Sequence, residues 1–252
     1  MSFRTSPLRA LALAGAALTV AAAPAQAQTL PTAEQVVARY VTAIGGEQAI
    51  SAQQFRRVQI EMSMPAAGMT MTAEMMQARP NKAVMNIELP GMGTMRQGYD
   101  GQVAWSVNPM QGPKIMEGKE LADMLRQYDF DANMRFSHMF RTMETVGRAE
   151  MNGESCVNVR MVAESGDEVL NCFADDDGLL VGAVVKSSTE AGQMESTITF
   201  HDYREFGGLK MPTRTSMSVM GQQMEMIVKS MSTDPIDASV FALPAEIKAL
   251  QQ

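Results

Sequence analysis

Methionine is the residue type whose abundance in this sequence most clearly points to chemistry. Six of the fifteen residues from 62 to 76 are methionines, and the chain of 252 residues contains 25 in all. A thioether sulfur is a soft ligand for Cu(I). The same side chain is also flexible and apolar, which suits surfaces that accept varied ligands. The segment therefore indicates either a copper site or an apolar binding surface.

The order of residues around this segment is that of a β-hairpin. Apolar and polar residues alternate from Val58 to Met64 and again from Met69 to Met75, and Pro65-Ala66-Ala67-Gly68 between them is typical of a turn. Pairing about that turn places the apolar side chains on one face. A second hairpin around Gly221 repeats the arrangement. The side chains expected to contact a ligand are Val58, Ile60, Met62, Met64, Met69, Met71, Met75, Met217, Met224 and Met226.

The spacing of these side chains favours an apolar surface over a copper site. A copper site needs three or four sulfurs that converge on one point, but same-face neighbours on a strand are about 6.6–6.8 Å apart. Cross-strand partners such as Met62 and Met71 supply two ligands, and a third has to come from another element. Both histidines, His138 and His201, are distant in sequence. We therefore predict no metal and no cofactor, with a filled core as the alternative to an open surface.

The two cysteines, Cys156 and Cys172, are expected to form a disulfide. They lie on two predicted strands joined around Ser165-Gly166-Asp167, and a three-residue loop there places them directly opposite each other. An exported protein meets an oxidising compartment in which such a bond persists. Two buried free thiols are the alternative.

No other group of residues predicts a catalytic or metal site. The run Asp175-Asp176-Asp177-Gly178 lacks the alternate spacing and the distant glutamate of a calcium loop, so it indicates a solvated turn. The sequence has no Ser-His-Asp set, no paired acids in a recognisable frame and no phosphate loop. We therefore do not expect an enzyme.

The N-terminal segment, residues 1–27, has the features of a secretory signal peptide. Arg4 and Arg9 precede an apolar run from residue 10 to residue 23, which is too short to span a bilayer. The sequence Ala25-Gln26-Ala27 matches a cleavage site. This segment therefore predicts export.

The mature part, residues 28–252, is predicted to be one domain located in the periplasm. Removal of two arginines leaves 19 of the 21 basic residues against 28 acidic ones, a net charge of −9. The basic residues do not cluster, so no nucleic acid is expected as a partner. We expect a monomer.

The elements that position these residues are mostly short strands. Thr32 and Gln35 form a predicted capping box for a helix that ends at Gly45-Gly46. Two amphipathic stripes, over 121–128 and 136–143, predict a helical insertion. The rest is mainly β, with about eleven antiparallel strands. Their accumulated twist predicts an unclosed half-barrel, with the inserted helices on its concave side.

Several segments, in this order, resemble the superfamily of LolA- and LolB-like lipoprotein carriers, in particular its outer-membrane lipoprotein-sorting branch. The segments are VARYVTAIGGEQAI (37–50), GYDGQVAWSVNPMQGP (98–113), NGESCVNVRM (152–161), FADDDGLLV (173–181), DYREFGGLKMPTR (202–214) and VFALP (240–244). The resemblance implies a half-open β-barrel, a helical lid and a cavity for acyl chains. It also implies an arginine that holds the lid, but no motif assigns that role to Arg57, Arg79 or Arg96.

Together these features predict a periplasmic carrier that shields an acyl chain, or the lipid of a lipoprotein, on its methionine-rich face. The expected partners are lipid or lipoprotein acyl chains, and proteins of the membranes that donate and accept them. An envelope sensor on the same scaffold is the alternative. A methionine-rich copper-binding protein is a third interpretation.

Overall fold

The structure, a computed structural model of the chain, describes residues 29–131, 140–163, 166–189 and 192–251. The predicted signal peptide, residues 1–27, lies outside these ranges. Within the described ranges, no helix combines the length and the apolar character needed to cross a bilayer.

The described chain is mainly β, as predicted, and its strands form one antiparallel sheet that is not closed into a barrel. Alternating apolar and polar residues build the strands, and turns rich in glycine and proline separate them. The thirteen strands are β1 Phe55–Met64, β2 Met69–Ala78, β3 Lys82–Leu89, β4 Gly93–Tyr99, β5 Ala104–Asn108, β6 Gly112–Ile115, β7 Thr142–Met151, β8 Glu154–Val162, β9 Glu168–Ala174, β10 Leu180–Thr189, β11 Gly192–Phe206, β12 Leu209–Val219 and β13 Gln222–Ser232.

The short strand β6 was not predicted, because Gly112 and Pro113 are typical of turns. It lies at one edge of the sheet, with Pro113 opposite Val107 of β5. Proline is tolerated on an edge strand, where its missing N–H is not needed by a second neighbour. The predicted number of about eleven strands is thus slightly low.

The strand order is β6-β5-β4-β3-β2-β1-β13-β12-β11-β10-β9-β8-β7. Neighbours in this order are consecutive hairpins except in the centre, where β1 pairs with β13. The sheet therefore consists of two meanders, β1–β6 and β7–β13, joined by that central pair. The inserted segment between β6 and β7 connects the two edge strands.

Three helices pack on one face of the sheet, which we call the inner face. α1 (Ala33–Ala43) begins at the predicted capping box: the Gln35 N–H donates to the Thr32 hydroxyl at 3.3 Å, and the Thr32 N–H donates to the Gln35 side chain at 2.9 Å. α2 (Gly46–Ala52) follows directly. α3 (Gly118–Gln127) forms the first part of the predicted insertion.

The two longer helices cover different halves of the inner face. Tyr40 of α1 packs against Phe173 in the second meander, with the ring centroids 5.5 Å apart. Met124 of α3 packs against Ala83 in the first meander. Tracing paired residues across the sheet places both contacts on the same face. The predicted arrangement of helices on one side of an unclosed sheet is confirmed.

The second amphipathic stripe, 136–143, does not form a helix over its described part, so that prediction is wrong there. Residues 136–139 lie outside the described residues, and Phe140 is not helical. Met143 lies on β7 opposite Met161. Exposed and half-buried residues alternate from 142 onward, and this strand period prevails over the apparent helical spacing.

The C-terminal segment packs on the opposite side of the sheet, which we call the outer face. Phe241 and Ile247 are buried there against Met76 and Trp105. α4 (Ala245–Lys248) contributes the buried Ile247. The first meander therefore has apolar cores on both faces.

Candidate functional site

The predicted hairpin of β1 and β2 forms with the predicted register. Its paired residues on the inner face are Val58 with Met75, Ile60 with Ala73, Met62 with Met71, and Met64 with Met69. Neighbouring strands are about 4.8 Å apart. Each methionine of this hairpin therefore lies beside an apolar side chain of the next strand.

The central strand pair joins this hairpin to the second predicted one. β13 pairs with β1 so that Met226 is opposite Met62. Met224 of β13 is opposite Met217 of β12, as predicted. Because no turn connects β1 to β13, the sequence did not indicate this pair. It places Met71, Met62 and Met226 in one row across three strands.

The inner face is covered unevenly along the strands. Val58 and Ile60, in the first half of β1, are only 1% and 8% exposed. The methionines of the face are half-buried: Met62, Met64, Met69, Met71, Met75, Met217, Met224 and Met226. Accessible apolar surface therefore increases toward the end of the sheet where β1 turns into β2. We call this the tip end, and the opposite end the helix end.

Arg79, in the turn between β2 and β3, fixes the inserted segment at the helix end. Its guanidinium donates to both carboxylate oxygens of Asp131, with 2.7 Å between Nη1 and Oδ2. It also donates to the carbonyls of Gln53 at 2.7 Å and Ile50 at 3.0 Å. The hydrogen bond to Asp131 raises the pKa of Arg79. Because Asp131 follows α3 and Ile50 belongs to α2, one side chain ties both helical segments together.

Phe130 lies between two arginines beside this ion pair. The guanidinium of Arg56 is 4.5 Å from the ring centroid and that of Arg79 is 4.6 Å away. Burial, followed by repulsion from Arg79, lowers the pKa of Arg56 to about 10. Arg56 therefore remains charged at neutral pH, and cation–π attraction adds to the attachment of the inserted segment.

Tyr128 completes the attachment. Its carbonyl accepts a hydrogen bond from the Gln77 side chain at 3.0 Å. Its hydroxyl accepts from Gln97 at 2.6 Å and donates to the Met85 sulfur at 3.2 Å. Side chains of three strands, two glutamines and a methionine, thus hold the chain that follows α3 on the inner face.

The sequence did not show which of Arg57, Arg79 and Arg96 holds the inserted segment, and the structure distinguishes between them. Arg57 lies on the outer face, 3.7 Å from Glu74, and Arg96 lies on the outer face over the ring of Trp105. Arg79 is the one that binds the inserted segment. Its partner Asp131 is 52 residues away, so no local pattern indicated the pair.

The predicted disulfide between Cys156 and Cys172 is present, but its register differs from the prediction. Cys156 is opposite Ala174, and Cys172 is opposite Asn158, so the cysteines are diagonal neighbours with a Cα–Cα distance of 5.4 Å. Val162 pairs with Glu168, so five residues rather than three separate the strands. The longer loop shifts the pairing by two residues.

The acidic turn at 175–178 is held by arginines. The carbonyls of Asp175 and Asp176 accept hydrogen bonds from Arg39 at 2.9 and 2.6 Å, and the Asp175 carboxylate pairs with Arg148. The described residues contain no group of three or more His, Cys, Asp or Glu side chains that could hold a metal ion.

Comparison with solved structures identifies the architecture. A LolA superfamily protein from Nitrosomonas europaea superimposes with a TM-score of 0.58 at 14% identity, covering 85% of this chain and 99% of the other. The chain has the LolA-like fold. A DUF1329 family protein from Desulfovibrio piger gives a TM-score of 0.58 at 10% identity, covering 83% of this chain and 97% of the D. piger protein.

A third solved structure agrees with this fold. A domain described as an outer membrane lipoprotein-sorting protein, from Vibrio parahaemolyticus, gives a TM-score of 0.53 at 10% identity, covering 77% of this chain and 93% of the Vibrio domain. No protein-family model matches the sequence, and no curated protein sequence matches it either. The predicted LolA-like resemblance is thus confirmed at the level of the fold.

Proposed function

We propose that this LolA-like protein is a periplasmic carrier that shields an acyl chain, or the lipid of a lipoprotein, on its inner face. One observation supports this most strongly. The ten residues predicted to contact a ligand share one face, and its methionines are only half-buried. Flexible thioether side chains adapt to chains of different shape.

The energetics of an acyl chain suit such a face. Each buried methylene group contributes about 0.8 kcal/mol, so a long chain binds firmly without a polar anchor. In this proposal the chain enters at the tip end and extends toward Val58 and Ile60. The segment held by Arg79 and Asp131 closes the helix end.

Replacement of Met71 by glutamate tests the proposal, because a carboxylate on the inner face would lose hydration beside the ligand. Met71→Glu should abolish saturable uptake of a fluorescent fatty acid. Thr72→Glu is the matched control, since it adds the same charge to the adjacent, exposed residue on the outer face. Glu74→Gln, also on the outer face, should leave uptake unchanged. Thermal unfolding verifies that each variant is folded.

Two outcomes would count against this function. Equal uptake by Met71→Glu and Thr72→Glu would place the ligand elsewhere. Absence of saturable uptake by the wild-type protein would contradict a carrier and favour the filled-core or sensor alternatives. If Met71→Glu does not fold, Met71→Gln against Thr72→Gln makes the same comparison with a smaller change.

A Cu(I) site is the second candidate function, favoured by the row of Met71, Met62 and Met226 on three adjacent strands. The carrier proposal expects weak Cu(I) binding without a fixed ratio, because the methionines are spread over several rows of the sheet. A competitive titration distinguishes the two functions. A single tight site that is lost in Met62→Leu would favour copper.

The proposed carrier acts in the periplasm and performs no enzymatic step. We infer that residues 1–27 are removed on export, so that the mature chain starts at Gln28. Mass spectrometry of the protein from the periplasmic fraction should give the mass of residues 28–252, and retention of 1–27 would contradict the inference. Lipids extracted from the same preparation should include the acyl ligand.

A further inference from the structure

Four hairpins lie side by side at the tip end of the sheet. They are β5–β6, β3–β4, β1–β2 and β12–β13, which are neighbours in the strand order. Their turns are residues 109–111, 90–92, 65–68 and 220–221. These turns form one edge of the molecule, which we call the tip edge.

Three methionines of the tip edge are strongly exposed. Met92 is 44% exposed, Met110 is 80% exposed and Met220 is 86% exposed. Most other residues of the four turns are small or apolar, namely Pro65, Ala66, Ala67, Pro90 and Pro109. Exposure of this extent means that the three side chains contribute little to the protein's own core.

The tip edge carries no charge. Neither its four turns nor the residue pairs that close them include Asp, Glu, Lys or Arg. The two turns of the first meander at the helix end differ, because they contain Arg79 and Asp100. The β8–β9 turn, at the tip end of the second meander, contains Asp167. The four neighbouring hairpins therefore form one uncharged stretch of the tip end.

We propose that the tip edge docks on a lipid bilayer, with Met92, Met110 and Met220 inserted among the lipids. The three side chains project from separate turns, and flexible apolar groups bind a fluid surface without the fixed complementarity that a protein partner requires. The lack of charge avoids the cost of bringing ions to the hydrocarbon boundary. The net charge of −9 over residues 28–252 opposes anionic lipid, so a zwitterionic surface is expected.

The inner face continues into the tip edge. Met64 and Met69 close one turn, and Leu89 and Val219 stand at the adjacent turns, all on the inner face. An acyl chain that leaves the bilayer at this edge therefore reaches the methionine surface directly. The purpose of the docking rests on the proposed carrier function, because docking would bring the inner face to its lipid. Binding to vesicles itself does not require a ligand on the inner face.

Flotation with phosphatidylcholine vesicles tests the docking. The wild-type protein should float with the vesicles, and Met110→Glu combined with Met220→Glu should reduce the bound fraction by at least about tenfold. The matched control combines Val146→Glu with Leu250→Glu, which replace residues that are 47% and 50% exposed outside the tip edge. This control should bind like the wild type.

Several results would overturn the docking proposal: a wild-type protein that does not float, equal loss in both double variants, or binding only to vesicles that contain envelope proteins. Probe uptake from solution separates this proposal from the carrier function. The tip-edge variant should take up the fluorescent fatty acid normally. Met71→Glu should float normally and take up none.

Discussion

Arg79 and Asp131 are 52 residues apart in sequence, and their side chains form the ion pair that holds the end of the inserted segment against the sheet. The two side chains are 18% and 10% exposed. A largely buried charge that loses its partner is costly, because water does not replace the lost contact. The position of the chain after α3 therefore depends on this pair.

Asp131→Asn should lower the free energy of unfolding by about 3 kcal/mol, because Arg79 keeps its charge and loses its partner. Urea unfolding measures the change, and hydrogen exchange should increase most in residues 124–131. Asp202→Asn is the control, since it breaks the exposed pair with Arg214 and should alter stability little. Equal effects of the two substitutions would contradict a structural role for the buried pair.

Replacement of Cys156 and Cys172 by alanine should destabilise the protein by about 3 kcal/mol, because the bond closes a loop with a sequence separation of 16. Urea unfolding with and without reductant measures this. Reductant should destabilise the wild type and leave the variant unchanged. Fatty-acid uptake should persist in the variant, since the disulfide does not lie on the inner face. Two alkylatable thiols in the folded wild-type protein would contradict the bond.

Phe241→Ala should destabilise the protein by about 3–5 kcal/mol, because the side chain is 3% exposed in the outer core. Leu250→Ala, at a residue that is 50% exposed near the same end of the chain, should change stability by less than about 0.5 kcal/mol. Thermal unfolding of both variants measures the difference. Similar melting temperatures would mean that the C-terminal segment does not stabilise the sheet.

Alkaline pH should weaken the attachment of α1. Burial raises the pKa of Tyr40 from 10.0 to about 12. Above pH 10 the unfolded chain releases this proton while the folded chain retains it. The contribution to stability is therefore present below pH 10 and falls by up to about 3 kcal/mol as the pH approaches 12.

Tyr40→Phe isolates this effect, because it keeps the ring that packs against Phe173. Urea unfolding at pH 9, 10, 11 and 12 should show a smaller loss of stability in the variant than in the wild type. Tyr203, whose pKa burial also raises, is unchanged in both proteins. Parallel stability curves for the two proteins would exclude Tyr40 as the cause.

The hairpins could be predicted from the sequence because strand period and turn residues are local signals. The register of β1 with β2 followed from residues 65–68 alone, and that of Met217 with Met224 followed from Gly221. The disulfide partners were also predictable, although the loop between their strands was misjudged by two residues. The residues of the β8–β9 turn do not define its length, so the register of β8 with β9 could not be predicted as well.

The features that join distant parts of the chain could not be predicted in this way. The pairing of Met62 with Met226 has no connecting turn, and Asp131 is one of many acidic residues available to Arg79. The strand that pairs with β1 and the acidic residue that pairs with Arg79 are both determined by the path of the whole chain. The row of methionines across β2, β1 and β13 therefore appears only in three dimensions.

The central pairing of β1 with β13 has a consequence for how the chain matures. Hairpins form early because their strands are close in sequence, whereas this pair must bring together the first and last strands of the sheet. Until β13 is available to pair, β1 presents an unpaired edge, and such an edge is a template for another strand. The period between emergence of the first and last strands is therefore when a second copy of the chain can most readily pair with it and aggregate.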